Sequence, residues 1–490
     1  MEKIPAPDYA ALFNPSSIAL IGASKHIEKW GAIILLNILL GGYPGRIYPV
    51  NPNEETIFGT QAYSRVSDIP DPVDLAIIAI PALQAKKSVL DCARKGIRVA
   101  IVITSDFSET GENGARLERE LTEAAHSSGI RYVGPNTMGI FSAQSSLIAL
   151  MPPVRPMKGG VSLFSQSGNI GAQMLSLGEK FCLGFNKYVS SGNEGDLRAE
   201  DYLAYFGEDP GTKVIMAYIE GLDDGRRFLE TARKISPQKP IIVYKGGRTP
   251  AGARAAQSHS GAMAGAKEIY QAAFRQSGIL WAPTTVEMLE WGAALSAFPL
   301  PNGNRVAILT RGGGWGVVTA DACTAMGLEV PPLTGEIIAS LDPLLPHYWS
   351  KGNPVDLAAS LSMEAYLQSL EILISWKNVD ALIALGGDTD PRPRILFEVK
   401  QTKPGFLPAK QIEGLETSLV ADRELMYRRV GEMIQQYRKP ILVVSAGLMG
   451  ERGKVPEDFP FPIFRTPESA TQAASALDQY ARYRSHLQFL

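Results

Sequence analysis

His259 lies in a run of small and polar residues that suits chemistry better than packing. The run, Ala-Ala-Gln-Ser-His-Ser-Gly-Ala-Met-Ala-Gly at 255–265, surrounds one of the five histidines with hydroxyls, alanines and glycines. A neutral imidazole is a competent nucleophile near pH 7, because its unperturbed pKa is about 6.5. The alternative is that His259 ends a loop and caps a helix, so its role depends on what the rest of the chain supplies.

Two turns of hydroxyl and glycine residues have the composition of phosphate sites. The first, Ser-Gln-Ser-Gly at 165–168, follows a strand-like run and contains Ser165, Ser167 and Gly168. The second follows another such run and contains Gly313 and Gly314. Free N–H groups at a helix N-terminus bind anions with the help of the helix dipole. Each turn alone is as easily an ordinary N-cap, but two N-termini facing one point would clamp a phosphoryl group carried on a histidine.

Glu220 stands at the end of a further strand-like run, in Tyr-Ile-Glu-Gly at 218–221. A carboxylate in that place can accept an N–H from a histidine, which fixes the tautomer of the ring and stabilises its charged form. The alternative interpretation is an exposed or salt-bridged glutamate.

The first strand-like run enters a small-residue turn at Gly22, Ala23 and Ser24. Such a turn lets backbone N–H groups approach a phosphate, although a plain tight turn is the alternative. The turn is not GxGxxG, and the next strand ends at Asn51 without an acidic residue for a ribose diol. These two observations disfavour a nicotinamide dinucleotide.

Other strand ends carry small or polar residues as well. Pro81, the Thr-Ser-Asp-Phe run at 104–107 and Asn136 each follow a strand-like segment. Because open α/β sheets bind ligands at the carboxyl ends of their strands, we expect these turns to line one crevice.

The elements that position these turns alternate along the chain. Short β-branched runs are separated in several places by longer amphipathic stretches, which is the pattern of parallel sheets with helices on both faces. Pro/Gly-rich breaks at 151–160 and 298–303 have the composition of linkers. The sequence therefore predicts an α/β fold in three segments, 1–150, 155–298 and 303–490.

Composition excludes several classes of protein. A net charge of −2 argues against a nucleic-acid surface or a binder of anionic membranes. The three cysteines, Cys92, Cys182 and Cys323, form no CxxC pair, which disfavours a disulfide framework or a zinc site and fits a reducing compartment. With no recognisable signal peptide and no long apolar run, we expect a cytoplasmic protein without a membrane segment or bound metal. No GxxxxGK[ST] run or paired-carboxylate magnesium site is evident, so ATP is expected to bind elsewhere.

As a set, these motifs resemble the α subunit of NDP-forming acyl-CoA synthetases, the ADP-forming acetyl-CoA synthetase group related to succinyl-CoA synthetase. The similarity runs along nearly the whole chain. The matching motifs are, in order, Ile-Gly-Ala-Ser at 21–24, Tyr-Pro-Val-Asn-Pro at 48–52, Gly-Pro-Asn at 134–136, Ser-Gln-Ser-Gly at 165–168, Gly-Asn at 192–193, Tyr-Ile-Glu-Gly at 218–221, Ser-His-Ser-Gly at 258–261 and Asn-Pro-Val-Asp-Leu at 353–357.

The resemblance implies a Rossmann-like CoA-binding domain followed by two flavodoxin-like parallel α/β domains. It places a group of residues in the CoA site, with Asn136 near the pantetheine arm. That group is Gly22, Ala23, Ser24, Asn51, Pro81 and Asn136.

The resemblance also implies a reaction. An acyl-CoA and phosphate give an acyl phosphate and CoA, and His259, oriented by Glu220, then takes the phosphoryl group. The turn at 165–168 and Gly313-Gly314 match the turns that hold phosphate. A swinging loop carries the group to a nucleotide site where ADP becomes ATP.

The chain departs from the family pattern in two ways. The ATP-grasp module is not evident in it, so we expect a separate β subunit to carry ADP or ATP with Mg²⁺. The run Arg-Gly-Gly-Gly-Trp-Gly at 311–316 replaces the more usual turn of that position. We hypothesise that Arg311 and Trp315 reshape the acyl pocket for a larger acid or one with a second carboxylate.

Two other functions are weighed against this one. A CoA-binding or acyl-CoA-binding regulatory protein would bind CoA without phosphoryl transfer. A nicotinamide-dependent enzyme is disfavoured by the first turn. The combination of His259, Glu220 and the Ser/Gly turns favours the synthetase.

Overall fold

A computed structural model describes residues 6–254, 267–358, 362–387, 392–403, 405–445 and 461–487. The chain forms two compact units, residues 1–288 and 289–490. The first unit contains two large sheets and the second contains one. The predicted α/β class with parallel sheets is confirmed.

The first sheet is parallel and begins the chain. Its strands are β1 (Ser17–Ile21), β2 (Arg46–Val50), a separate hairpin of β3 (Thr56–Ile57) and β4 (Thr60–Gln61), β5 (Leu75–Ile78), β6 (Val99–Val102) and β7 (Arg131–Val133). The helices are α1 (Tyr9–Phe13), α2 (Trp30–Leu40), α3 (Ala82–Arg94) and α4 (Glu112–Ser128). The strand order is β2-β1-β5-β6-β7, so the chain first adds a strand on one side of β1 and then continues on the other side, which makes β1 the point where the strand order reverses. A crevice for a ligand therefore forms at the carboxyl ends of β1 and β5.

The second sheet repeats this order and adds a hairpin. Its strands are β8 (Gly139–Ser142), β9 (Leu147–Leu150), β10 (Lys158–Ser165), β11 (Phe185–Ser190), β12 (Val214–Ile219), β13 (Ile241–Lys245) and β14 (Ile279–Trp281). The helices are α5 (Gly168–Leu177), α6 (Ala199–Glu208), α7 (Gly225–Ile235), α8 (Lys267–Gln276) and α9 (Thr285–Ala297). The order is β14-β13-β12-β10-β11-β8-β9, with the reversal beside β10.

The hairpin of β8 and β9 differs from the sequence expectation. It pairs antiparallel with β11 and so belongs to the second sheet, although the predicted segment 1–150 includes it. The Pro-rich break at 151–156 follows this hairpin instead of preceding it. A break in composition marks a turn in the chain, and the partner of each neighbouring strand decides which sheet the strand joins.

The third sheet lies in the second unit and has the same strand order. Its strands are β15 (Val306–Thr310), β16 (Val355–Asp356), β17 (Ala381–Leu385), β18 (Ile441–Val444) and β19 (Ile463–Phe464). The helices are α10 (Gly313–Ala325), α11 (Gly335–Leu341), α12 (Met363–Ser375), α13 (Arg392–Thr402), α14 (Ala409–Tyr437) and α15 (Pro467–Leu487). The order β16-β15-β17-β18-β19 reverses beside β15. Each sheet thus places the turn after its own first parallel strand at a reversal point.

The two sheets of the first unit share one hydrophobic core. Buried side chains of both sheets, such as Ile18 and Phe164, belong to the same cluster. Aromatic rings join α1 to α6. Tyr9 stacks on Tyr205 at 4.2 Å between ring centroids, and Phe13 also stacks on Tyr205, at 5.2 Å. The shared core fixes the first sheet against the second.

A buried ion pair lies beside this aromatic contact. The Nζ of Lys187, which is 1% exposed, donates to Asp209 at 2.8 Å and lies 5.8 Å from the centroid of the Phe13 ring. Burial alone would raise the pKa of Asp209, but hydrogen bonds from Lys187 and Thr212 hold it below its usual range. A lowered carboxyl pKa stabilises the fold above the pKa of the unfolded state, and this contribution is lost as the pH falls through the folded pKa.

We predict that Lys187→Met lowers the free energy of unfolding of the first unit by about 3–5 kcal/mol, because it leaves the Asp209 carboxylate buried without its cation. Urea unfolding followed by circular dichroism measures the change. The double variant Lys187→Met/Asp209→Leu should recover much of the loss, since no unpaired charge remains. Lys234→Met, at an exposed position of α7, is the matched control. Wild-type stability in Lys187→Met would contradict the prediction.

Candidate active site

A cavity of about 1040 Å³ lies in the first unit, where strands of both sheets end. Residues after β1, β5, β6 and β7 line it from the first sheet, and residues after β10, β11 and β12 line it from the second. Six of the residues predicted for CoA, phosphate or catalysis line this cavity. They are Gly22, Pro81, Asn136, Ser167, Gly168 and Glu220.

Gly22 lets the first turn approach the strand beside it. It has a φ of +88°, and a Cβ at this position would lie 2.3 Å from the carbonyl oxygen of Ala79. Gly31, in the first turn of α2, is equally confined, because its Cβ would lie 2.0 Å from the carbonyl oxygen of Gly22. Only glycine fits either place without a shift of the backbone. The start of α2, with Lys29 and Trp30, is thereby held at the cavity wall.

Three predicted CoA-site residues support the shape of this turn without lining the cavity. Ala23 and Ser24 are buried, and neither they nor Asn51 line the cavity. The Nδ2 of Asn51 donates to the carbonyl oxygen of Ala23 at 2.7 Å, and the Oγ of Ser24 accepts from the backbone N–H of His26 at 3.1 Å. In the structure these side chains fix the shape of the turn.

The second turn opens α5 onto the cavity. The Oγ of Ser167 caps the helix by accepting from the N–H of Ile170 at 3.4 Å. Ser165 is fully buried, and its Oγ donates to the carbonyl oxygen of Ser167 at 2.6 Å, so that it braces the turn from within. A Cβ on Gly168 would lie 2.6 Å from the Cγ of Met138. The N-terminus of α5, with Gly168 and Asn169, lines the cavity, and helix N-termini bind anions through their N–H groups.

Gln166 joins this turn to the end of β12, a role that sequence reasoning missed. Its Oε1 accepts from the N–H groups of Glu220 at 2.5 Å and Gly221 at 3.1 Å, and its Nε2 donates to the carbonyl oxygen of Gly221 at 2.9 Å. The Oε1 of Glu220 accepts from the hydroxyl of Tyr218 at 3.2 Å. Glu220 is therefore held at the cavity wall by its backbone as well as its side chain.

Lys245 also supports the end of β12. It is 3% exposed, and its Nζ donates to the carbonyl oxygens of Glu220 and Gly246, each at 2.6 Å. Burial lowers the pKa of Lys245, while the charge of Glu220 acts in the opposite direction.

The two halves of the cavity meet at a pair of asparagines. The Nδ2 of Asn136 donates to the Oδ1 of Asn193 at 3.2 Å. Gly192, with a φ of +62°, packs so closely on this turn that its Cβ would lie 2.2 Å from the carbonyl oxygen of Pro135. The turn after β7 in the first sheet is thus in direct contact with the turn after β11 in the second.

His259 lies outside the described residues, so its predicted role stays a prediction. Gly313 and Gly314 are at the start of α10 in the second unit, where both are exposed. The Oγ1 of Thr310 donates to the carbonyl oxygen of Gly312 at 2.9 Å and accepts from its N–H at 3.1 Å, which shapes the turn before them. Their part in holding phosphate also stays a prediction.

Arg311 and Trp315 have different surroundings in the second unit. Arg311 is buried, and its guanidinium carbon lies 5.0 Å from the centroid of the Tyr366 ring. Its Nη2 donates to the carbonyl oxygen of Ser362 at 3.4 Å. The indole of Trp315 is 47% exposed. Their influence on the choice of acid stays a hypothesis.

Among the residues that the structure describes, no helix has both the length and the apolar character that a membrane crossing requires. In the same set, no three histidine, cysteine, aspartate or glutamate side chains are grouped in a way that could hold a metal ion.

Known proteins resemble the chain along most of its length. The family model of the CoA binding domain matches residues 16–143, and that of the succinyl-CoA ligase like flavodoxin domain matches residues 158–295. The acetate–CoA ligase (ADP-forming) II subunit alpha of Pyrococcus furiosus is 40% identical over 472 residues, which cover 96% of this chain and 97% of that protein. The acetate–CoA ligase (ADP-forming) I subunit alpha of the same organism is 35% identical over 491 residues, covering 97% and 98%.

A longer relative and a solved structure agree with this. The acetate–CoA ligase (ADP-forming) I of Archaeoglobus fulgidus is 40% identical over 374 residues, covering 76% of this chain and 54% of that protein. The dinucleotide forming acetyl-coenzyme A synthetase 1 of Ca. Korarchaeum cryptofilum, solved in complex with phosphate and ADP, matches with a TM-score of 0.84 and 35% identity, covering 98% of each chain. The chain belongs to the family of ADP-forming acetate–CoA ligase α subunits.

Proposed function

We propose that this chain is the α subunit of an acyl-CoA synthetase that forms a carboxylic acid, CoA and ATP from an acyl-CoA, ADP and phosphate. One observation carries the proposal: a single cavity is lined by the glycine turn after β1, the N-terminus of α5 and Glu220. A thioester and a phosphate must meet for this reaction, and the cavity offers an anion site on each side of their meeting point.

CoA occupies the half of the cavity formed by the first sheet. Gly22 brings the turn after β1 against the backbone at the end of β5, at the point where the strand order reverses, which is where such folds bind nucleotides. Pro81 borders the same half, and Asn136 lies where the pantetheine arm would pass toward the second sheet. Ala23, Ser24 and Asn51 act from behind by holding the turn.

Phosphate occupies the other half, at the N-terminus of α5. Ser167 and Gly168 line this end, and Ser165 braces it. A phosphate oxygen attacks the thioester carbonyl, the carbon–sulfur bond breaks, and the proton of the phosphate hydroxyl balances the leaving thiolate. Peptide N–H groups that are already in place stabilise the charge that develops on the phosphoryl oxygens.

His259 then takes the phosphoryl group from the acyl phosphate. A ring nitrogen attacks phosphorus, the bond to the carboxylate oxygen breaks, and the acid leaves. Glu220 accepts the N–H of the other ring nitrogen and stabilises the imidazolium. We assign Glu220 this role because it lines the cavity and its backbone is fixed by Gln166 and Lys245.

ADP is phosphorylated on a partner subunit. Relatives named subunit alpha support this, as does the longer Archaeoglobus protein, of which this chain covers 54%. We propose an ATP-grasp β subunit that holds ADP or ATP with Mg²⁺, and a second phosphate turn at Gly313 and Gly314. A cytoplasmic location fits the widely spaced cysteines.

We predict that His259 carries the phosphoryl group. Incubating the chain and its β subunit with γ-labelled ATP should give an acid-labile label on the chain, because phosphohistidine is hydrolysed in acid. His259→Ala should remove the label, while His347→Ala, at an exposed position, should keep it. Persistent label in His259→Ala contradicts the assignment. CoA binding without label in the wild type would favour the regulatory alternative.

We also predict that Gly22→Ala weakens CoA binding at least tenfold, because the added Cβ cannot coexist with the carbonyl oxygen of Ala79. Gly42→Ala is the matched control, since Gly42 has a similar φ of +80° but open space around its Cβ. Both variants meet the left-handed backbone cost of about 1–2 kcal/mol, but only Gly22→Ala meets the clash. Calorimetry with CoA measures the difference, and equal CoA affinities in the two variants would disprove the prediction.

A further inference from the structure

The cavity has an unexpected balance of charge for a site that handles phosphates and carboxylates. One lysine, Lys29, lines it from the described part of the chain. The acidic residues that line it are Glu28, Asp106, Glu109, Glu194, Glu220 and Asp223. Anions therefore depend on peptide N–H groups in this part of the site, and each ionised carboxylate close to them opposes binding.

Glu194 is the acidic residue whose position is most constrained. It follows β11 in a left-handed conformation with a φ of +57°, which is uncommon for a residue with a side chain. Its Oε1 accepts from the hydroxyl of Ser191 at 2.7 Å. The side chain of Gln166 and the backbone N–H of Ala199 also bond to its carboxyl group. These contacts hold the carboxyl group in place against the cavity wall.

The turn that carries Glu194 packs on the phosphate turn. The N–H of Ser191 donates to the carbonyl oxygen of Ser165 at 2.9 Å. A Cβ on Gly168 would lie 3.0 Å from the Oγ of Ser190. Gln166, which bonds to Glu194, belongs to the phosphate turn itself. A carboxyl group in this position lies beside the N-terminus of α5, where the proposed function places phosphate.

The surroundings of Glu194 favour its neutral form. Burial raises the pKa of Glu194 to about 7, although hydrogen bonds from Ser191 and Gln166 act in the opposite direction. The titratable groups that the described structure sets around it are also acids: Glu200 and Tyr202 on α6, and Glu220 across Gln166. A neutral carboxylic acid donates a hydrogen bond, whereas a carboxylate only accepts one.

We propose that Glu194 binds as a carboxylic acid and donates a hydrogen bond to an oxygen of the phosphate or acyl phosphate held at the N-terminus of α5. This inference rests on the proposed function for the place of the phosphate. It makes anion binding dependent on a proton on Glu194, so the cavity binds anions tightly when Glu194 is neutral and weakly when it is ionised.

The sign of the pH dependence follows from the raised pKa. Glu194 is protonated below about pH 7, where binding is strongest, and it loses its proton above that, where binding weakens. Phosphate itself titrates in the same range, so the test uses sulfate, a tetrahedral anion that stays doubly charged throughout. Equilibrium dialysis of the full chain with radiolabelled sulfate between about pH 6 and about pH 8.5 gives the Kd.

The wild-type Kd for sulfate should rise about thirtyfold across this range, since only the protonated state of Glu194 binds well and its pKa is about 7. Glu194→Gln keeps a hydrogen-bond donor at every pH, so its Kd should change less than about twofold. Glu208→Gln, at the exposed end of α6, is the matched control and should keep the wild-type slope.

The possible failures are distinguishable. A wild-type Kd that does not change with pH, or a Glu194→Gln chain that keeps the wild-type slope, overturns the role of Glu194 and leaves the phosphate site intact. If the wild-type chain binds no sulfate at any pH, the phosphate site of the proposed function fails together with this inference.

Discussion

The site depends on close contacts between backbone segments beside the cavity, and these contacts leave no space for a Cβ atom. The turn after β1 touches the end of β5 through Gly22, and the first turn of α2 touches Gly22 through Gly31. These contacts bring the start of a helix directly over the carboxyl end of a strand. Peptide N–H groups then reach the cavity, which is essential where one lysine lines it from the described residues.

The cavity exists because two such strand ends are held against each other. Each sheet of the first unit forms its own crevice at its own point of reversal. The core shared by α1 and α6 fixes the two sheets, and the contact of Gly192 with Pro135 closes the gap between their turns. The proposed reaction between an acyl-CoA and phosphate needs both crevices to open on one space, so the packing of the sheets belongs to the catalytic design.

The sequence predicted the turns better than the directions of their side chains. Strand ends such as those before Gly22 and Gly168 are visible as apolar runs that stop at small residues, and the α/β order follows from their alternation. Whether a turn residue faces the cavity depends on φ and on distant partners. Ser165 braces the turn from inside, and Gln166 reaches residues 54 and 55 positions away. Glu194 had no sequence signal, because its carboxyl group is held by distant partners, Gln166 after β10 and the N–H of Ala199 in α6.

The acidic residues that line the cavity also affect how readily a bound anion is released. In the proposed function the phosphoryl group passes to a histidine, so it has to be released as readily as it is bound, whereas arginine or lysine clamps would hold phosphate strongly. Peptide dipoles at the end of α5 offer a fixed and moderate attraction, and the carboxylates around them limit it. Such a site stabilises an anion mainly through the direction of its N–H groups. In the proposed function, a phosphoryl group in the geometry of transfer is therefore favoured over one that is simply bound, which is what catalysis in both directions requires.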